Sequence, residues 1–411
     1  MVRSYGEMTL SWTDDSYVGN GTGATVYAPL GPFPFGAGPG NATSGNVAAG
    51  ALGVYYAYIQ FAGFTMGKAI SEFSAPWQNY PGNNFDSLVG GGGAVTGVNQ
   101  FTYTEQFGNG ISASASIQDQ VQYFQAGVVN LGTPITLTGL AQPIGGAFGA
   151  SDYANTMAPD IVGTFTVDQA WGLFKFSAAA HDNHAAYYGA FETTGHPSDK
   201  WGWAVQAALQ IKNIPTGAGD NINVQGVYTS AATRYNIQDL SNMGSVTMYN
   251  GTSNPFAYQK LTLGFAPDTL YANGFSQQAI NTWGMRGAFN HNWDPYWSSA
   301  LYGAWAQVSY SSGAKILACN APGIGVPGVG AATALVSVCN PDYQVAQVGF
   351  IHRWTPVKNL TFSGDVVWTY VDQKYQGFLT TSNATTGKPE TTYVLGNAGN
   401  VTAMFRAQRN F

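Results

Sequence analysis

The chain has 411 residues, of which 45% are hydrophobic and only 9% charged, against roughly 25% charged in an ordinary soluble domain. A net charge of −6 with no run of Lys or Arg argues against a nucleic-acid partner, and so thin a charge cover suggests an outside that does not face water. The 53 Gly, 24 Tyr, 23 Phe and 11 Trp suit strands, tight turns and interfacial aromatic girdles.

Alternation at a period of two recurs in segments of about ten residues, the pattern of membrane-spanning strands. In the first, Met8, Leu10 and Trp12 face one way and Arg3, Tyr5, Glu7, Thr9 and Ser11 the other. A Gly/Pro-rich loop from Asp14 to Gly50 follows, then Tyr55, Ala57, Ile59 and Phe61, a turn at Ala62-Gly63, and Phe64 to Lys68. After a loop from Ile70 to Asn99, Gln100 to Phe107 and Ile111 to Gln118 read as a hairpin across Gly108-Asn109-Gly110, a strong turn signal. Ile161 to Val167 and Phe174 to Ala180 form the next pair, and Trp203 to Ile211 with Ile222 to Tyr228 the one after. Trp283 to Phe289 turn through Asn292 to Trp297 into a strand whose apolar row reads Ala300, Tyr302, Ala304, Ala306, Val308 and Tyr310. Ala346 to Trp354, Leu360 to Tyr370 and a terminal strand Val401 to Phe411 complete fourteen strands.

Short turns and long Gly/Asn/Thr-rich loops alternate along the chain, and both ends lie on the short-turn side. An even-stranded antiparallel all-β barrel of the outer membrane has this rhythm, with short periplasmic turns and long extracellular loops, whereas a soluble sandwich has no cause to sort its loops by length. Uncharged stretches such as Gly36 to Gly67, Val128 to Ser151 and Ile316 to Pro341 are long enough for membrane helices. Their density of Gly, Pro, Asn, Thr and Ser and their alternation argue against helices. No signal peptide is visible, since Met1 is followed at once by Val2 and Arg3.

Most ionisable strand residues fall opposite the apolar rows, where a barrel has its pore: Arg3, Glu7, Lys175, Lys212, Arg286, Arg353, Asp365 and Arg406. Glu105 breaks the rule by sharing the row of Phe101, Tyr103 and Phe107, and its place two residues before a turn puts it near the membrane interface. Trp171, Trp201, Trp203, Trp293, Trp297, Trp354 and Trp368 stand at strand ends, as girdle residues do.

The runs AYIQFAGFTMGKA (Ala57 to Ala69) and PDIVGTFTVDQAWG (Pro159 to Gly172), the segment from Cys339-Asn340-Pro341-Asp342 through Gln347-Val348-Gly349, and the ending AQRNF resemble the general-diffusion porins of alphaproteobacteria. The resemblance spans nearly the whole chain. It implies a homotrimer of sixteen-stranded barrels that admit small hydrophilic solutes passively, without a cofactor, in outer-membrane lipid. It also implies a strand pair ahead of Arg3 that these residues lack. In that family the third long loop folds into the lumen, and the stretch in its place here is residues 70–99, whose only charges are Glu72 and Asp86. Arg3, Glu7 and Arg406 on the inward rows would face those acids across a transverse field. Lys68 joins them as an ambiguous member, because its parity with Phe64 and Met66 points it outward.

Cys319 and Cys339 flank nineteen residues of one loop, and an exported chain with only two cysteines is expected to join them. No His or acid lies at ligand spacing from the cysteines, and His181 and His184, three apart in a loop, could bind a metal although such loop pairs are more often just solvated. Neither a G-x-S-x-G elbow nor H-E-x-x-H occurs. The competing expectations are an outer-membrane barrel hydrolase, for which His181, His291 and His352 are the candidate bases, and a structural or adhesive barrel presenting its loops. The porin reading expects an open, polar lumen.

Overall fold

A computed structural model describes residues 3–12, 56–85, 88–92, 97–119, 127–131, 152–154, 156–189, 191–237, 246–250, 260–320, 334–383 and 388–410. Fourteen strands form one antiparallel wall. They are β1 (Arg3–Trp12), β2 (Ala57–Phe61), β3 (Phe64–Ala69), β4 (Val98–Gly108), β5 (Ile111–Gln118), β6 (Asp160–Gln169) and β7 (Gly172–Asn183). The second half holds β8 (Lys200–Lys212), β9 (Asn221–Ser230), β10 (Gln278–Asn292), β11 (Trp297–Tyr310), β12 (Tyr343–Val357), β13 (Leu360–Gln373) and β14 (Ala398–Asn410). From β2 each strand pairs with the next, and β14 turns back to pair with β1 over Arg3↔Asn410 to Trp12↔Val401. Among the described residues no ladder joins β1 to β2, and all five residues of β2 are exposed.

The turns explain the pairing. Ala62-Gly63 and Asn109-Gly110 both place two successive residues at positive φ (49° and 84°, then 49° and 71°), which matches the right-handed twist of a two-residue hairpin. Gly110 has no room for a side chain, since a Cβ there would lie 1.9 Å from the Asp168 carbonyl oxygen.

Curvature follows from one segment. Residues 70–92, after β3, touch the same side of the wall from β5 to β14: Ser114 of β5 hydrogen-bonds Glu72 at 2.9 Å, and Arg406 of β14 reaches the Asn84 carbonyl at 3.1 Å. Nine strand spacings would separate those contacts by about 43 Å on a flat sheet. Twelve residues would reach about 40 Å only if fully extended, and these include turns with bonds such as Gln78 N–H to Ala75 O at 2.8 Å. The sheet therefore wraps around the segment, and its concave side is the lumen.

On the convex side the alternation holds. Ile161, Phe165, Trp201, Trp203, Val348, Phe350, Phe362, Val366, Trp368 and Phe405 are exposed, and their in-between neighbours are buried or half-buried. Strand β11 corrects the sequence reading. Ala300, Tyr302, Ala304, Ala306, Val308 and Tyr310 point into the lumen and are buried, while Leu301 faces outward at 57% exposure. Both rows of β11 are largely apolar, so periodicity alone could not choose, and packing against inserted segments decided.

Those inserted segments also revise the expectation of a uniformly polar lumen. Val246–Asn250, Lys260–Gly264, Lys388–Leu395, Gln376–Asn383 and Ala334–Val338 make a five-stranded sheet at the long-loop end. Leu261 and Leu263 from it, with Phe265 just beyond, pack with Ile280, Val308, Tyr310, Tyr343 and Val371 on the inner rows of β10 to β13. Helix α1 (Ser312–Asn320) packs near β10 and β11 and is tied back by the Cys319–Cys339 disulfide, with Cα atoms 5.9 Å apart. No helix is long and apolar enough to cross a membrane among the described residues.

Candidate functional site

The segment 70–92 is built to lie against the inner wall. Ser71 starts it by accepting the Phe73 N–H at 3.2 Å while donating to Gln118 at 2.8 Å, so the chain turns inward at the end of β3. Phe73 is fully buried, with its ring edge-on to Tyr235 at 4.4 Å. Neutral amides from the wall then hold the backbone: Gln206 donates to the Phe73 carbonyl (2.8 Å), Asn223 and Asn290 to that of Pro81 (2.7 and 2.9 Å). Gln347 accepts the Val89 N–H at 2.9 Å, and the Trp77 indole donates to Gln225 at 2.6 Å.

Charged residues grip it at two places. Arg286, 2% exposed, donates to the carbonyls of Leu88 (2.9 Å) and Gln78 (2.7 Å), which closes the turn between them. Near the far end Arg353 donates to the Gly82 carbonyl at 2.6 Å and Arg406 to that of Asn84, while buried Asp365 accepts the Asn84 N–H and the Tyr302 hydroxyl, both at 2.6 Å. Such charge-assisted bonds are about twice as strong as neutral ones, so the lumenal path of the segment is firmly set.

Close approach needs glycine here. A Cβ on Gly82 would lie 2.6 Å from the Ala288 methyl and 2.9 Å from that of Ala300, and Gly90, at φ 93°, would meet the Met285 carbonyl oxygen at 2.4 Å. The side of the segment that remains accessible carries Glu72, Pro76, Trp77, Gln78, Tyr80 and Asn84.

The residues singled out in the sequence fall into separate groups. Arg353, Asp365 and Arg406 come together at the segment's far end. Register places Glu7 opposite Arg406 and Arg3 opposite Asn410, on the same row. Glu72 stands on the other side of the lumen, held by Ser114 and within electrostatic reach of Lys175 on the inner row of β7. Lys212 is at the periplasmic rim, paired with Asp168 at 2.5 Å. Lys68 lies opposite Asn99 on the outward row of Phe101, apart from the rest. Asp86 lies outside the described residues. Glu105 also faces outward, where the Tyr103 hydroxyl donates to it. Neutral anchors such as Gln206, Gln225 and Gln347 escaped the sequence reading, although their place on charge-bearing rows was visible.

The three histidines each have a partner. His181 is buried between Asp160 (2.9 Å) and Asp268 (3.8 Å), His291 pairs with Asp220 at 2.6 Å, and His352 with Ser299 at 2.7 Å. The His352 ring stacks on Trp297 at 4.9 Å within an aromatic row, and no carboxylate is hydrogen-bonded to it among the described residues.

An antiparallel wall with a lipid-compatible outside, sorted loops and a polar segment folded into its lumen defines a transmembrane β-barrel channel of the outer membrane. A family model described as a porin subfamily matches residues 1–404, and the chain belongs to that family. It is thus an outer-membrane porin, a channel for passive diffusion. Among curated proteins none matches the chain. Among solved structures, the outer membrane channel DcaP of Acinetobacter baumannii is similar at 16% identity and a TM-score of 0.50, over 88% of this chain and 77% of that one. An anion-selective porin from Comamonas acidovorans aligns at 8% identity and TM-score 0.41, over 85% and 74%. The first shares the fold.

Proposed function

We propose that residues 70–92 form the constriction of a water-filled pore for small hydrophilic solutes, and that the chain works as a homotrimer. The observation that carries the constriction is the clamping of one polar segment, at both ends, to the lumenal side of the wall. A field then runs across the opening between Glu72 on one side and Arg353, Arg406 and the row of Arg3 on the other, moderated by Asp365 and Glu7. Fixed charges at a narrow opening orient dipolar solutes and bias ion flow weakly. The trimer rests on the resemblance to general-diffusion porins.

Single-channel conductance in a planar bilayer, with the reversal potential in a salt gradient, tests both parts. Steps in triplets are expected. Arg406→Gln should move the reversal potential toward cation preference and Glu72→Gln toward anion preference. Silence of a folded sample would overturn the pore and favour a barrel plugged by its apolar lumenal core.

A further inference from the structure

Apart from the lumenal charges, a cluster of charged and aromatic residues lies on the outside of the barrel. A groove of about 720 Å³ opens on the outer face of β13 and β14 at their long-loop ends, under the edge of the five-stranded sheet. Its floor is Trp368 and Tyr370, whose rings stack at 5.7 Å and 21°, and its rim carries Lys260, Asp372, Lys374 and Asn397. A glycine keeps it open, since a Cβ on Gly399 would lie 3.1 Å from the Trp368 indole nitrogen.

The hydrogen bonding inside is incomplete. Asp372 is shared between Lys374 (2.5 Å) and the Asn397 amide (2.8 Å). The Lys260 ammonium has no ion pair or hydrogen bond among the described residues, and the indole N–H of Trp368, 44% exposed, has no acceptor there. Two lysines against one carboxylate leave the rim with a net positive charge. The groove thus offers ammonium groups for an anion, a free N–H donor, and an aromatic face of the kind that packs against the flat side of a sugar ring.

Its depth in the membrane selects the source of that anion. Trp368 stands eight residues beyond Leu360 at the periplasmic turn, about 20 Å along the membrane normal at ordinary strand rise and tilt, and Asp372 about 30 Å. The apolar band of such barrels is about 25 Å tall. The aromatic floor therefore ends where the lipid tails end, and the lysines sit among the headgroups of the outer leaflet. We propose that this groove binds the phosphorylated sugar headgroup of an outer-leaflet glycolipid, with Lys260 and Lys374 on the phosphate, Trp368 and Tyr370 under the sugar, and the acyl chains running down the exposed row of Val366 and Phe362. The site is independent of whether the pore conducts.

Native mass spectrometry of the folded full chain tests this, with bisphosphorylated lipid A as the probe, phosphatidylglycerol as competing anionic lipid and glucosamine 1-phosphate as free headgroup. The wild type should retain lipid A against both competitors. The pair K260Q/K374Q should bind it about tenfold less tightly, a loss on the scale of one charge-assisted contact, and K260R/K374R should restore binding. Asp372→Asn, which removes the opposing carboxylate, should tighten it, and this variant serves if the glutamine pair does not fold. Unchanged binding in either variant would overturn the proposal. So would displacement by phosphatidylglycerol, which would leave charge alone, by glucosamine 1-phosphate, which would make the ligand a soluble one, or a groove filled by a second copy of the chain.

Discussion

Gly82 and Arg286 decide how closely the inserted segment lies against the wall. Any side chain at Gly82 meets Ala288 and Ala300, which stand on neighbouring strands and cannot give way without moving the sheet. Gly82→Val should push the segment toward the pore axis and lower single-channel conductance while heat-modifiable mobility shows an intact barrel. Arg286→Met removes the donors to the buried Leu88 carbonyl and the part-buried Gln78 carbonyl, and leaves the former unsatisfied. The cost is about 3 kcal/mol by the usual range for bonds to a charged group and for orphaned acceptors. The measurable outcome is a lower thermal midpoint together with noisier conductance. Both residues looked ordinary in sequence, one a glycine among 53 and the other an inward arginine expected to face water.

At the scale of elements, the long loops are tied together by buried carboxylates. Asp268 accepts the N–H of Gly127 at 2.5 Å, the backbone N–H of Thr233 and its hydroxyl at 2.9 Å, beside His181 and close to Asp160 and Tyr235. Burial alone would raise its pKa, but the hydrogen bond and charge of His181 and the two backbone N–H donors outweigh that and hold it below the usual carboxylate value. A depressed pKa in the folded state means stability that is complete above the unfolded pKa of about 4 and lost as pH falls from there through the lower folded value. Hydrogen exchange at Gly127 and Thr233, corrected for intrinsic rate, should therefore lose protection below about pH 4, and Asp268→Asn should lose it at neutral pH. Asp220 does the same for the periplasmic rim. Despite burial, its bonds to Thr216, the Asn292 N–H and His291 hold its pKa down to about 2. The Asn292 amide should accordingly stay protected on acidification until the pH approaches that value.

The whole molecule depends on β14. It pairs over ten residues with β1 and over twelve with β13, from Leu360↔Arg409 to Val371↔Ala398, so the first and last of the fourteen strands meet inside the wall. Removing residues 401–411 would expose the edges of both neighbours in a solvent that cannot hydrogen-bond them. No folded, heat-modifiable species should form on refolding into detergent, whereas removal of the disulfide by C319A/C339A should loosen one loop by about 3 kcal/mol of chain entropy and spare the barrel.

The residues alone determined the fourteen strands of the wall, the sorting of short turns from long loops and most of the outward rows, because a membrane imposes a period of two and penalises charge on one face. The five strands of the long-loop-end sheet read as loops. The residues also failed on β11, where both rows are apolar, and on the lumen, where Leu261, Leu263 and Phe265 replace water with a core. Only the tertiary structure could decide which row faces inward there, and that Arg286 binds backbone while Arg353, Asp365 and Arg406 converge on one loop end. Such contacts join residues some 200 to 320 positions apart, as with Arg286 to Leu88 and Arg406 to Asn84, and local periodicity carries no information about partners at that separation.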